Sequence, residues 1–161
     1  MTSPAADSPV DSGPAGPSST DDETRALNEK VFTEVLALIS AGRHNDMVDL
    51  MHDDLVFELP YGPDGMRGPH NKQSFAGMQD YVFGMFDDFS IGITELHPGR
   101  DPNELVAEYA SKCTVKATGG PYNNRYVGIL SFKDGKVVGW KEFHNPEIAT
   151  AALSSGRPSG S

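Results

Sequence analysis

The chain has 161 residues, of which 37% are hydrophobic and 22% charged, and its formal net charge is −10. This length suits one domain with a sizeable core, and the acidic balance disfavours nucleic-acid binding because an acidic surface repels phosphate backbones. No apolar run reaches the roughly 18 residues of a membrane span. A single cysteine, Cys113, and no recognisable secretory signal favour a cytoplasmic protein.

The two ends of the chain differ from its middle in composition. Residues 1–21 consist mainly of Pro, Ser, Ala, Gly and Asp, with Val10 as the single large aliphatic residue. Such a segment buries too little apolar surface to offset its ordering entropy. We therefore predict disorder over residues 1–21 and, by the same argument, over residues 154–161. The folded domain is predicted to span residues 22–153.

Three helices are predicted in the first half of this domain. The first begins at a capping residue, Thr20 or Asp21, and ends at Gly42, with apolar residues at helical spacing between them. A second, shorter amphipathic helix is predicted around residues 47–51. The third is predicted from about Lys72 to Phe86, again on the spacing of its apolar residues.

The remaining elements are predicted to be strands. A short strand over residues 55–59 stops at Pro60, and after the third helix the pattern is strand throughout, over residues 89–97, 104–118, 124–132 and 137–144. Turn residues separate these strands, and Asp134-Gly135 is a strong hairpin signal. Because strands joined by short turns are antiparallel, the sequence predicts an α+β fold with helices on one face of a curved antiparallel sheet.

Two motifs resemble a known family. GKVVGWKEFHNP (residues 135–146) resembles the closing strand of the nuclear transport factor 2-like superfamily, especially its SnoaL-like and phenazine-biosynthesis A/B-like branches, and FELPY (57–61) resembles the first strand of many bacterial members. The resemblance implies a cone-shaped, cystatin-like α+β barrel, in which three N-terminal helices wrap a curved, largely antiparallel (mixed) sheet around a deep central pocket. It also implies a homodimer formed through the back of the sheet.

The resemblance assigns different roles to different positions. The catalytic aspartate of the family's ketosteroid isomerases falls at Leu59, and their oxyanion-hole aspartate falls near Gly128, so that mechanism is disfavoured. The arginine and first aspartate of the epoxide hydrolases fall near Tyr109 and Ser111. Glu142 takes the position of the catalytic aspartate of SnoaL-like cyclases and of the pocket glutamate of phenazine A/B proteins.

Three residues are candidates for catalysis. Strand alternation places Glu142 and His144 on the same face as Trp140; if that face lines the pocket, desolvation would raise the pKa of Glu142 and suit it to acid/base work. The alternative is a solvated carboxylate on the convex face. Glu58 is either a second pocket carboxylate or a solvated strand residue, and His144 is either a proton shuttle or an exposed bystander.

The predicted function follows from these candidates. Substrate-binding residues are predicted at Phe57, Tyr61, Tyr109, Ser111, Tyr126 and Trp140, although the tyrosines could equally be core residues. No metal, nucleotide or flavin motif is present, so no cofactor is expected. We predict a bacterial enzyme of specialised metabolism that cyclises, isomerises or dehydrates a polyketide-like or aromatic intermediate. The alternatives are a non-catalytic module that binds a small molecule or a partner protein and, third, an epoxide hydrolase.

Overall fold

Helices cover one face of a five-stranded sheet in residues 19–154, which are the residues that the computed structural model describes. The helices are α1 (Ser19–Ser40), α2 (His44–Met47), α3 (Lys72–Phe83) and α4 (Pro146–Ser154), and a single 3₁₀ turn (Val48–Leu50) follows α2. The strands are β1 (Met51–Glu58), β2 (Phe86–Pro98), β3 (Glu104–Val115), β4 (Pro121–Lys133) and β5 (Lys136–His144). The α+β class predicted from the sequence is therefore confirmed.

The sheet is mixed, and its strand order is β1-β5-β4-β3-β2. Strands β2 to β5 pair in sequence as antiparallel hairpins, as predicted. The first strand pairs with β5 in parallel, so the chain returns at its end to lie beside its first strand. In the turn between β4 and β5, Asp134 and Gly135 have φ angles of 53° and 73°. Positive φ at both central residues is the conformation that a two-residue hairpin turn requires.

Several predicted element boundaries differ from those of the structure. Met51 was predicted to lie in the second helix but is the first residue of β1, where it pairs with Val137. Phe86 was predicted to end the third helix but begins β2, where it pairs with Val115. Both errors have the same cause, because strand pairing with a distant segment overrides the local helical spacing. Helix α1 begins at Ser19, one or two residues before the predicted capping residue, Thr20 or Asp21, so residues 19–21 are helical rather than disordered, and so is Ser154 at the end of α4. Residues 1–18 and 155–161, the rest of the two segments predicted to be disordered, lie outside the described residues.

The core lies between the helices and the inner face of the sheet. Helix α1 contributes four buried apolar side chains at helical spacing, namely Phe32, Val35, Leu36 and Ile39. Burial alternates along β3 and β4, so every second residue faces inward. Each fully buried large apolar side chain stabilises the fold by about 1.5–3 kcal/mol. Over residues 19–154, no helix is both long enough and apolar enough to span a bilayer.

Candidate active site

A cavity of about 160 Å³ lies between the inner face of the sheet and the helices. Most of its lining is apolar, from residues of α1, α3, β1, β2 and α4. The polar or titratable residues of the lining are Gln79, Tyr122, Tyr126, Glu142 and His144. No lysine or arginine of the described chain is among the lining residues. The cavity therefore suits an uncharged, apolar molecule that presents few polar groups.

Strand β5 supplies three consecutive inward-facing residues to this cavity. Trp140, Glu142 and His144 all line it, as the alternation of the strand predicted. The register of β4 and β5 places Glu142 opposite Gly128 and His144 opposite Tyr126. The predicted placement of Glu142 in an apolar pocket therefore agrees with the structure, and the surface alternative does not.

Among the described residues, the carboxylate of Glu142 has one hydrogen-bond partner, Tyr109. The Tyr109 hydroxyl donates a hydrogen bond of 2.6 Å to Oε2 of Glu142. Burial raises the pKa of Glu142 to about 7, because the ionised carboxylate loses its hydration, and the hydrogen bond from Tyr109 offsets part of this rise. At neutral pH both the acid and the carboxylate are populated, which is the condition a general acid/base requires.

Tyr109 is held rigidly. Its side chain is 1% exposed, its ring stacks on that of Tyr126 at 5.2 Å between centroids, and Phe32 packs edge-on at 5.4 Å. The indole Nε1–H of Trp140 donates to the Tyr109 hydroxyl at 3.1 Å. Burial raises the pKa of Tyr109 well above its ordinary value, so this residue stays protonated and remains a donor.

A cluster of polar side chains lies beside Tyr109 on the same face of the sheet. Ser111 and Tyr126 share a hydrogen bond of 2.8 Å between their hydroxyls, and Asn124 donates to the Tyr122 hydroxyl at 2.9 Å. Neither Tyr122 nor Asn124 was predicted as a site residue: Tyr122 lies before the predicted start of this strand at residue 124, and Asn124 was its first residue. The alternation that places Tyr126 inward also places Asn124 inward and, if the strand is extended by two residues, Tyr122.

Glu58 does not share the cavity with Glu142. In β1, Phe57 faces inward and lines the cavity, so its neighbour Glu58 faces the opposite side of the sheet. There Glu58 lies opposite Lys141 of β5, with 3.5 Å between its Oε2 and the lysine Nζ. The sequence allowed the Glu58 side chain to point either into the pocket or into solvent, and the parallel pairing with β5 places it on the solvated side. Glu58 is thus corrected from a candidate pocket carboxylate to a surface ion-pair residue.

The remaining predicted site residues divide between the cavity and its surroundings. Phe57, Tyr126 and Trp140 line the cavity. Tyr109 and Ser111 are buried but are not among the lining residues, and they contact it through their hydrogen bonds to Glu142 and Tyr126. Tyr61 is 58% exposed and contacts the Phe143 ring at 5.4 Å. Its predicted role in substrate binding is therefore not supported, because the turn after β1 carries it out of the lining.

His144 lines the cavity two residues after Glu142. Burial lowers the pKa of its imidazole, so it is neutral at physiological pH. Its Nδ1 atom is buried and has no hydrogen-bond partner within residues 19–154. His144 therefore contributes a neutral imidazole to the cavity rather than a positive charge.

A grouping with metal-ligand chemistry lies elsewhere on the molecule. The ligand atoms of Glu95, His97 and Glu108 lie within 4.8 Å of one another on the exposed side of β2 and β3. His97 is already hydrogen-bonded to Glu108 at 2.8 Å. None of the three lines the cavity, so this grouping is a surface ion pair apart from the candidate active site.

The fold and cavity define an α+β protein of the nuclear transport factor 2-like type. The family model described as the SnoaL-like domain matches residues 32–140, which is more than half of the chain. The chain belongs to the SnoaL-like family, as the motifs around Glu58 and Glu142 indicated.

Several known proteins are similar to this chain. YesE, an uncharacterised protein of Bacillus subtilis, is 27% identical over 108 residues, covering 65% of this chain and 72% of YesE. A crystal structure from B. subtilis, of a protein provisionally described as an isomerase, is 21% identical, has a TM-score of 0.71 and covers 85% of this chain and 96% of that one. A phenazine biosynthesis-related protein of Pseudomonas aeruginosa is 21% identical with a TM-score of 0.64, covering 93% of this chain and 94% of its own.

The same fold occurs in a protein provisionally described as a polyketide cyclase, IdmH of Streptomyces antibioticus. It is 15% identical with a TM-score of 0.66, and the match covers 78% of this chain and 97% of IdmH. At these identities the solved structures show a shared fold and no shared reaction.

Proposed function

We propose that the protein is a cofactor-independent enzyme that transfers protons to and from an uncharged small molecule, with Glu142 as its general acid/base. The observation that carries the proposal is the position of the Glu142 carboxylate, which lines an apolar cavity and accepts a hydrogen bond of 2.6 Å from Tyr109. A pKa near 7 lets one carboxyl group both accept and release a proton at neutral pH.

The lining of the cavity supports a substrate class. Aromatic and aliphatic side chains form most of the walls, and no cation of the described chain lines them to pair with a carboxylate or phosphate. An uncharged aromatic or polyketide-like ketone or ester fits this environment. Cyclisation, double-bond isomerisation and dehydration of such a molecule all require a positioned proton acceptor and donor in a dry site.

The proposal includes the broader expectations from the sequence. These are a cone-shaped barrel with the cavity as its interior, a homodimer formed through the outer face of the sheet, and bacterial specialised metabolism in the cytoplasm. Relatives described as isomerases and polyketide cyclases share the fold and support the reaction class. Tyr109 and Ser111 stand where an epoxide hydrolase of this superfamily would need an arginine and an aspartate, which disfavours that reaction.

The second candidate function is binding without chemistry. The cavity would then hold a ligand on its apolar walls, and Glu142 would serve only as a hydrogen-bonding group. Glu142→Gln distinguishes the two functions, because the amide keeps the shape of the carboxylate but accepts no proton. An enzyme would lose turnover in this variant, whereas a binding protein would show at most a changed ligand affinity.

The experiment is a comparison of Glu142→Gln with Glu58→Gln. Uncharged aromatic and polyketide-type ketones and esters are incubated with the protein, and products are followed by liquid chromatography with mass spectrometry. We expect Glu142→Gln to reduce turnover by roughly 10²-fold or more, the usual scale for a positioned acid/base, with little change in ligand affinity. Glu58→Gln removes a carboxylate on the opposite face and is expected to leave turnover within about twofold.

Two results would contradict the enzymatic proposal. Full activity of Glu142→Gln on a confirmed substrate would remove Glu142 from the chemistry. Binding of these compounds in the cavity with no product from any of them would favour the binding function instead.

A further inference from the structure

The direction of the hydrogen bonds behind Glu142 follows from the chemistry of the donors. An indole Nε1–H can only donate, so Trp140 must donate to the oxygen of Tyr109 across their 3.1 Å contact. The hydroxyl proton of Tyr109 then has one acceptor within reach in the described chain, Oε2 of Glu142 at 2.6 Å. That distance is typical of a hydroxyl donating to an ionised oxygen.

This arrangement makes the two oxygens of Glu142 different. A proton on Oε2 would either point at the Tyr109 oxygen and leave the tyrosine's own proton buried without an acceptor, or point away and leave Oε2 as a neutral hydroxyl oxygen, a weaker acceptor than an ionised one. An unsatisfied buried donor of this kind is costly. Oε2 is therefore held in the unprotonated, accepting state, and a proton taken up by the carboxylate goes to Oε1.

Gly128 provides the space for this contact. It lies opposite Glu142 in the pairing of β4 and β5. A Cβ atom at this position would lie 2.9 Å from the Tyr109 hydroxyl oxygen, 3.0 Å from its Cε1 and 3.2 Å from Nε1 of Trp140. The first of these is shorter than real Cβ contacts, and the tyrosine has little freedom to yield because Tyr126 and Phe32 pack against its ring.

We propose that Tyr109 is a positioning residue, locked by Trp140 as a one-way donor to Oε2 of Glu142, so that Oε1 is the oxygen that exchanges a proton with the ligand. Gly128 is the second positioning residue, because its missing side chain leaves the room in which this contact forms. The catalytic meaning of this assignment rests on the proposed function. The geometry itself does not, and it is measurable without any substrate.

The experiment is a titration of the Glu142 carboxyl by ¹³C NMR in the full chain labelled at the glutamate carboxyl carbon. The Glu142 signal is identified by its loss in Glu142→Gln. In the part of the chain that the structure describes, the other titratable groups around it are His144 and three tyrosines, Tyr109, Tyr122 and Tyr126, whose raised pKa values keep them neutral over the range. We expect Tyr109→Phe to raise the Glu142 pKa by about one unit or more, a tenfold change in proton affinity, because the donor that stabilises the carboxylate is gone.

Gly128→Ala is compared with Gly92→Ala. Gly92 is also a strand glycine, but a Cβ there meets no atom within 4 Å. We expect Gly128→Ala to shift the Glu142 pKa upwards as Tyr109→Phe does, and Gly92→Ala to match the unchanged protein. The indole N–H proton of Trp140, the chain's one tryptophan, gives a second readout, since its resonance should move in Tyr109→Phe and Gly128→Ala alone.

Each outcome bears on the assignment. An unchanged or lowered Glu142 pKa in Tyr109→Phe would overturn the donor role of Tyr109. Equal spectra for Gly128→Ala and Gly92→Ala would overturn the role of Gly128. If Gly128→Ala fails to fold, Tyr109→Phe and the indole resonance still decide the donor assignment. A failed search for turnover, by contrast, would leave these shifts intact and count only against the proposed reaction.

Discussion

Burial of the Glu142 carboxyl makes the stability of the protein depend on pH in a specific way. The pKa of Glu142 is raised from its ordinary 4.5 to about 7 in the folded protein. Between these two values the folded state holds a proton that the unfolded state has released. The stability contributed by the neutral carboxyl is therefore fully present below pH 4.5 and is lost as the pH rises to about 7.

The size of this loss follows from the shift. One pK unit corresponds to about 1.4 kcal/mol, so the whole rise in the pKa of Glu142 corresponds to roughly 3 kcal/mol of unfolding free energy. Between pH 5 and pH 8 the unfolding free energy should decrease by about 2–3 kcal/mol from this cause. Glu142→Gln removes the titrating group, so the variant should gain this amount over the unchanged protein across the same interval. His144 has the opposite pH dependence, because burial lowers its pKa, but it is present in both proteins and cancels in the comparison.

The assay is urea unfolding at pH 5, 6, 7 and 8, followed by the fluorescence of Trp140, which is 5% exposed in the folded protein. The difference in unfolding free energy between Glu142→Gln and the unchanged protein should grow steadily with pH. A difference that stays constant from pH 5 to pH 8 would refute the reasoning, since it would mean that Glu142 titrates alike in the folded and unfolded states.

Two further predictions concern other parts of the molecule. The outer face of the sheet exposes Val127 and Ile129 beside Phe143, and an exposed apolar patch of this kind favours association. Light scattering should therefore give the mass of a dimer at micromolar concentration. Ile129→Asp should convert the dimer to a monomer. A monomer mass for the unchanged protein would contradict this. Cys113 is 7% exposed and burial raises its thiol pKa to about 11, so iodoacetamide at pH 8 should modify it at least about tenfold more slowly in the folded than in the urea-unfolded protein. Equal rates would show that the thiol is accessible.

Local periodicity was sufficient to predict most of the fold and one face of the site. The alternation in the last strand placed Glu142 beside Trp140, and both line the cavity. The rest of the site depends on the register of β3, β4 and β5, which local periodicity does not predict. Glu142 and Tyr109 are 33 residues apart, and only the pairing of three strands brings them into contact across Gly128.

The errors have the same physical origin. The sequence around Met51 does not indicate that this residue pairs with Val137, which lies 86 residues further along the chain, because the pairing forms only in the folded sheet. The orientation of Glu58 is likewise set by its position opposite Lys141 in the parallel pair. In both cases a contact between distant segments decides what the local pattern leaves open.

The central claim is that the Glu142 carboxyl transfers protons to and from a ligand in the cavity. Its most direct test is the pH dependence of turnover, measured for the unchanged protein and for Glu142→Gln on the same confirmed substrate. If Glu142 acts as the base in the slow step, the rate of the unchanged protein should rise with pH through a midpoint near 7. Glu142→Gln should then be slower by roughly 10²-fold or more and show no such midpoint. The same midpoint and comparable rates in both proteins would contradict the claim.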